Sequence, residues 1–443
     1  MRIQLSEHFT YSKLLRFVLP SVIMMVFTSV YSVVDGLFVS NFVGKTSFAA
    51  VNLIMPFLMG IAAMGFMFGT GGSALVAITL GEGRRDRAKG YFSLIIYATA
   101  AAGVLLGAAG FYAIQPIASA MGATGQMLED SVLYGRILLA FQPTFMLQIA
   151  FQSFFVTAEK PRLGLYVTVA AGLTNMVLDA LFVAVFRWGI AGAALATVLS
   201  QMVGGFFPLL YFARPNNSLL RLTRPSRSLS VLLRSCANGA SELMTNLSSS
   251  VVNLLYNLQL MELAGEDGVA AYGVVMYVNF IFNAIFFGYA IGSSPVIGYQ
   301  YGAGQTKELR SLFQKSLRIT AACALCLTAL AQILAAPLST LFVGYDPVLA
   351  QMTCHGFRLY ALAFLLAGFN IFGSAFFTAL GNGGVSAAIS FLRTLVFQVA
   401  AILLLPALLG LDGVWLAIVV AEVLSLGVTT LFFFAYRRRY QYA

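Results

Sequence analysis

Twelve uninterrupted apolar stretches, most of them 20 residues or longer, follow one another along the chain and fix its solvent before any motif is read. They lie at about 14–39, 50–80, 91–114, 132–157, 163–184, 189–213, 232–262, 269–301, 313–337, 350–380, 386–409 and 411–436. A helix needs roughly 20 such residues to cross the hydrocarbon core of a bilayer. The 443 residues hold these helices, short connections and little else. With 60% apolar and only 9% charged residues, the chain has too little polar surface for a water-soluble globule. The expectation is an all-α membrane protein of twelve transmembrane helices.

The distribution of basic residues tests that count, because Lys and Arg accumulate in cytoplasmic connections. Placing both termini in the cytoplasm puts all but four of the 26 basic residues, Arg2 among them, on or near that side. Only Lys45, Arg136, Arg187 and Arg358 fall toward the outside, whereas a wrong helix count would scramble the alternation. Topology therefore explains the formal charge of +10. The basic loop from Arg214 to Arg234 reads as cytoplasmic, not as a nucleic-acid surface. The chain is expected to be a multi-pass protein of the cell inner membrane, in contact with the lipid bilayer and monomeric.

Sliding the sequence against itself by about 221 residues reveals an internal repeat. GIAGAALATVLSQ from Gly189 matches GLDGVWLAIVVAE from Gly410, and SVVDGLF from Ser32 matches SVVNLLY from Ser250. Gly81-Glu82-Gly83 recurs as Gly302-Ala303-Gly304, and Phe154-Phe155 as Phe376-Phe377. The predicted organisation is a six-helix bundle over 1–213, a cytoplasmic linker over 214–231 and a second six-helix bundle over 232–443. Because six is even, the bundles run parallel, as in transporters that rock two halves about a central cavity.

Chemistry in such a chain rests on the ionisable groups retained within the spans, since a mid-membrane carboxylate costs about 2.5 to 3.5 kcal/mol on insertion scales. Four acids qualify: Asp35 in the first helix, Asp179 in the fifth, Glu242 in the seventh and Glu422 in the twelfth. Their candidate basic partners, Arg393 and Arg358, lie close enough to helix starts to snorkel to the interface. Asp35 and Asp179 lie toward the outer ends of their helices, and Asn175 precedes Asp179 by one turn on the same face. Thr197 in the sixth helix adds a hydroxyl. Two carboxylates, an amide and a hydroxyl suit a proton or a sodium ion. Asp35 and Asp179 would be the metal ligands in the sodium case.

Pro20 lies mid-span in the first helix, where its missing N–H permits a bend that would move Asp35. Gly65 to Gly69 and Gly288 to Gly292 have small-xxx-small spacing, which predicts close helix packing. The four cysteines read as packing thiols without metal or redox context. Only two histidines, His8 and His355, are present, and no HExxH or GxSxG motif occurs, so an intramembrane enzyme is not expected.

On SVVDGLFVSNFVG in the first helix, the GEGRRDRA loop with its GAGQTKEL counterpart, and Asn175-x-x-x-Asp179, the chain resembles the multidrug and toxic compound extrusion transporters over its whole length. The resemblance implies that Asp35, Asn175, Asp179 and Thr197 form the cation site, and that Pro20 is the bend proline. It also implies that Glu242 corresponds to an acid some members use in a second cation site with a helix-ten aspartate. This sequence departs there, because no carboxylate occurs between Tyr360 and Leu380. Glu242 and Glu422 are then possible substrate or second-cation groups. The implied activity is antiport by alternating access, with no cofactor: small-molecule organic cations leave as protons or sodium ions enter. The 38 Phe, 19 Tyr and 16 Met can line an adaptable cavity, and buried acids favour cations. The alternatives are a flippase for a lipid-linked saccharide, for which basic cavity residues would be expected, and a passive channel.

Overall fold

The computed structural model describes residues 3–442. Arg2, counted above with the basic face, falls outside them. Among the described residues the regular structure is all helical, the outcome lipid imposes on a chain whose backbone must satisfy its own polar groups. Ten helices are long and apolar enough to cross a bilayer, and a bent pair, Gly125–Ala140 and Gln142–Thr157, meeting at 60°, makes an eleventh span. The longest helix, Leu229–Gly302, runs 74 residues, on the order of 110 Å if straight and over three times a hydrocarbon core. It breaks at Gly265 (φ 62°, ψ −149°), where two helices meet. Counting them separately gives the twelve spans that the apolar stretches predict.

The spans are numbered α1 (Tyr11–Val43), α2 (Lys45–Gly81), α3 (Arg85–Ala120), α4 (Gly125–Ala140 with Gln142–Thr157), α5 (Pro161–Val185) and α6 (Gly189–Ala213). The second half continues with α7 (229–264), α8 (266–302), α9 (Thr306–Val343), α10 (Pro347–Ala379), α11 (Gly383–Leu409) and α12 (Leu411–Tyr440). The segment 214–228 joins the halves without helix and lies along α3, with Ser226 N donating to Gly90 O at 3.1 Å and Thr223 N to Ser93 Oγ at 2.8 Å. A few helix starts carry side-chain caps. Thr10 accepts from Lys13 N at 3.3 Å, and Asp346 accepts from Val348 N and Leu349 N ahead of a first-turn proline.

The repeat survives as backbone geometry. Positive φ occurs at matched loop positions: Gly83 (78°) with Gly304 (68°), Glu159 (59°) with Gly381 (74°), and Gly189 (61°) with Gly410 (61°). The two Phe pairs anchor equivalent aromatic clusters. Phe154 and Phe155 pack with Phe92, Phe151 and Phe212, while Phe376 and Phe377 pack with Phe313, Phe433 and Tyr442. Both small-xxx-small pairs are close-packing points. A methyl on Gly65 or Gly69 would lie 3.0 or 2.9 Å from the α4 backbone, and one on Gly288 or Gly292 would lie 2.5 or 2.7 Å from α1.

The halves meet tightly toward the face that carries both termini. There a methyl on Gly71 would lie 2.1 Å from Ser235 O, one on Gly239 would lie 2.0 Å from Met67 O, and one on Gly302 would lie 2.1 Å from Ile78 O. Farther along α2, at Gly60, the contact with Leu247 relaxes to an ordinary 3.6 Å. Backbones this close admit glycine only, and they close the terminal face. The N-terminal segment reinforces the closure. Leu5 N donates to Glu159 Oε1 at 2.7 Å on the first half, while Phe9 N donates to Glu308 Oε1 at 2.9 Å and His8 Nδ1 meets Glu308 Oε2 at 2.6 Å on the second. Leu5 and Phe9 are fully buried between them.

Candidate functional site

Three helices deliver the first-half site. α1 carries Asp35, α5 carries Asn175 and Asp179, and α6 carries Thr197. α1 and α5 approach closely because Gly172 leaves room for Phe27 and Tyr31, whose rings a methyl there would meet at 2.4 and 2.8 Å. One and two turns further along α5, Asn175 (2% exposed) and Asp179 (0%) face α1. Asp35 interacts with both side chains. Asp35 Oδ1, both carboxylate oxygens of Asp179 and both amide atoms of Asn175 are nevertheless buried without a hydrogen-bond partner at bonding geometry. Among the described residues, no Lys, Arg or His forms an ion pair with either acid.

Unsatisfied buried groups are rare in folded proteins, and uncompensated buried carboxylates cost several kcal/mol each. Five such atoms, four oxygens and one amide nitrogen, lie on these three side chains. The structure brings Asp35, Asn175 and Asp179 together. Thr197 lies beside the Tyr134 hydroxyl, itself within electrostatic reach of both acids, and the Thr197 hydroxyl donates to Ala193 O at 3.0 Å. Its oxygen therefore stands at the rim through Tyr134. Tyr31, with Gln148 beside it, closes the side toward α4. Sequence reasoning missed Tyr31, Tyr134 and Gln148, since one polar or aromatic residue in an apolar span announces nothing about its direction.

Each key acid of this site adjoins a π-helical turn. Asp35 O accepts from Val39 N at the start of Val39–Val43, and Asp179 directly precedes Ala180–Val185. A π-turn inserts one residue into the helix and re-aims the side chains around it, and such turns recur at functional sites. By contrast α1 continues helical through Pro20, with the buried Ser21 hydroxyl beside it unpartnered. The structure thus has Pro20 within a continuous helix in this state.

The second half differs. Glu422 (1% exposed) is held by Arg393, whose Nη2 lies 2.7 Å from Oε1 and whose Nε lies 2.9 and 3.1 Å from the two carboxylate oxygens. Asn370 Nδ2 donates to Oε2 at 2.7 Å, and Thr429 Oγ1 donates to Asn370 Oδ1 at 2.9 Å, fixing the amide. This corrects two expectations. Arg393 does not snorkel but turns inward from a third π-turn, Leu392–Phe397. Glu422, expected as a substrate or cation group, already has a bidentate counterion. Glu242 on α7 remains half-buried with no hydrogen bond or ion pair to its carboxylate among the described residues, near Arg393. No group of three or more His, Cys, Asp or Glu with metal-binding arrangement occurs among the described residues.

Comparison with known proteins places this geometry. The MatE family model matches residues 20–181 and 243–403, one segment in each half. The multidrug export protein MepA of Staphylococcus haemolyticus is 22% identical over 436 residues, covering 98% of this chain and 95% of the relative. A crystal structure of MATE in complex with MaL6 superposes with a TM-score of 0.93 at 25% identity, covering 98% of both chains. An outward-facing multidrug resistance MATE family transporter of the MOP superfamily gives 0.92 at the same identity, again covering 98% of both. With its twelve spans and these matches across both halves, the chain belongs to the MatE family, the multidrug and toxic compound extrusion transporters, and is a membrane transporter, not an enzyme.

Proposed function

We propose that the protein is an antiporter that exports amphipathic, mostly cationic organic compounds in exchange for an inward-moving proton or sodium ion. The observation that carries this reading is the first-half acid pair, Asp35 with Asp179, set against Asn175, with no ion-paired basic partner among the described residues and with Asp35 Oδ1 and both Asp179 carboxylate oxygens buried without a hydrogen-bond partner at bonding geometry. A proton on either carboxylate, or a sodium ion between them with the Asn175 carbonyl oxygen as a third ligand, removes the desolvation cost. An organic cation that gains from the same negative charge competes with the ion, which is the differential affinity exchange requires. Both termini are read as cytoplasmic from the charge distribution. The state described, closed at the terminal face, is then the one that faces outward. MepA relatives named as multidrug export proteins support the same cargo class.

Proteoliposomes loaded with a fluorescent organic cation and given an imposed proton or sodium gradient test the proposal. Gradient-driven movement by the wild type that Asp35→Asn or Asp179→Asn abolishes in folded protein supports it, and the effective gradient names the ion. Full coupling in both variants refutes the site. No movement of organic cations under either gradient refutes the cargo.

A further inference from the structure

In the second half, two acids and one base share a buried region, and the geometry divides them unequally. Arg393 gives its fork to Glu422. Asn370, itself oriented by Thr429, holds the carboxylate from another side. The π-turn that carries Arg393 packs against both Leu229–Gly302, which includes Glu242, and Leu411–Tyr440, which includes Glu422. Arg393 therefore stands between two carboxylates and is committed to one. The other basic residue within the second-half spans away from the terminal face, Arg358, is exposed near the opposite end. The remaining negative charge of this region rests on Glu242.

We propose that Glu422 is a positioning residue that holds Arg393 away from Glu242, so that the Glu242 carboxylate stays available to the positive group of the cargo. Without Glu422 the guanidinium is a buried charge in need of a partner, and breaking such a pair is strongly unfavourable. Its nearest remedy is to swing to Glu242 and occupy, as a tethered cation, the place a cationic substrate would take. A buried ion pair that only stabilised the fold would have no such consequence for binding. The inference rests on the reading that the cargo is cationic and meets Glu242.

Equilibrium binding of tetraphenylphosphonium to purified protein in detergent, with thermal stability measured alongside, tests it on Glu242→Gln, Glu422→Gln and the double variant Arg393→Gln/Glu422→Gln. Affinity should fall about tenfold or more in both single variants. It should return to within about threefold of wild type in the double variant, which lacks the competing arginine. Wild-type affinity in Glu242→Gln refutes the contact between Glu242 and the cargo, and the inference with it, while leaving the first-half site untouched. Loss in Glu242→Gln with wild-type affinity in Glu422→Gln overturns the positioning role alone, and so does a double variant that binds as poorly as Glu422→Gln. If Glu422→Gln does not fold, Asn370→Leu replaces it, keeping both charges while loosening the carboxylate's second clamp. Weaker binding there supports the proposal, and unchanged binding overturns it.

Discussion

Gly71→Ala should pry the two halves apart at the terminal face. The added methyl would lie 2.1 Å from Ser235 O and 2.4 Å from Gly239 N, both backbone atoms, where ordinary contact begins at 3.4 Å. No rotamer change relieves a backbone contact, so α2 and α7 must separate by roughly 1 Å, an overpacking cost of about 1–3 kcal/mol. That cost falls only on the state in which the halves touch, and it shifts the closed-to-open ratio by about 5- to 150-fold. Ala77, fully buried near Gly298 of α8, reports the change. In a background with Cys236, Cys323, Cys326 and Cys354 replaced, a cysteine at position 77 should react far faster with a membrane-impermeant maleimide when Gly71 is alanine. Gly427→Ala, where an added methyl meets nothing within 4 Å, serves as the control and should leave the rate unchanged. An unchanged rate in Gly71→Ala would refute the idea that glycine contacts close this face.

Two further substitutions probe other joints. Gly172→Ala forces a methyl to 2.4 Å from Phe27 and should lever α1 off α5, costing about 1–3 kcal/mol and weakening ion coupling without touching an acid, as read by gradient-driven efflux. Glu308→Ala leaves Phe9 N and His8 without their shared acceptor, and amide hydrogen exchange over residues 3–10 should accelerate in proportion to a loss of about 1–3 kcal/mol. An exchange rate equal to wild type would show that the N-terminal segment is held by its buried Leu5 and Phe9 alone.

What the sequence discloses and what it hides divide along physical lines. Span number, the repeat and the shared face of Asn175 and Asp179 are legible because each rests on periodicity: apolar length, self-similarity, and an acid one helical turn from an amide. The small-xxx-small glycines are legible for the same reason. Asp35 joins Asn175 and Asp179 through the predicted topology and the family resemblance. The inward turn of Arg393 is not, because an arginine two turns into a helix reaches either the interface or the interior, and its π-turn leaves no mark in composition. Asn370 and Thr429, which complete the hold on Glu422, come from spans distant in sequence and become neighbours only through packing. The 60° break within α4 at Phe141 has a local cue in Pro143, which cannot donate to the carbonyl of Leu139, but the size of the bend is set by packing and leaves no mark in the sequence.

The central claim is that the first-half acids exchange a small cation for an organic one. Counting the protons and sodium ions released when tetraphenylphosphonium binds purified protein in weakly buffered detergent solution tests it most directly. The account predicts that wild type releases one of the two ions as it takes up the organic cation, and that Asp35→Asn/Asp179→Asn releases neither. Equal release from wild type and the double variant would contradict it.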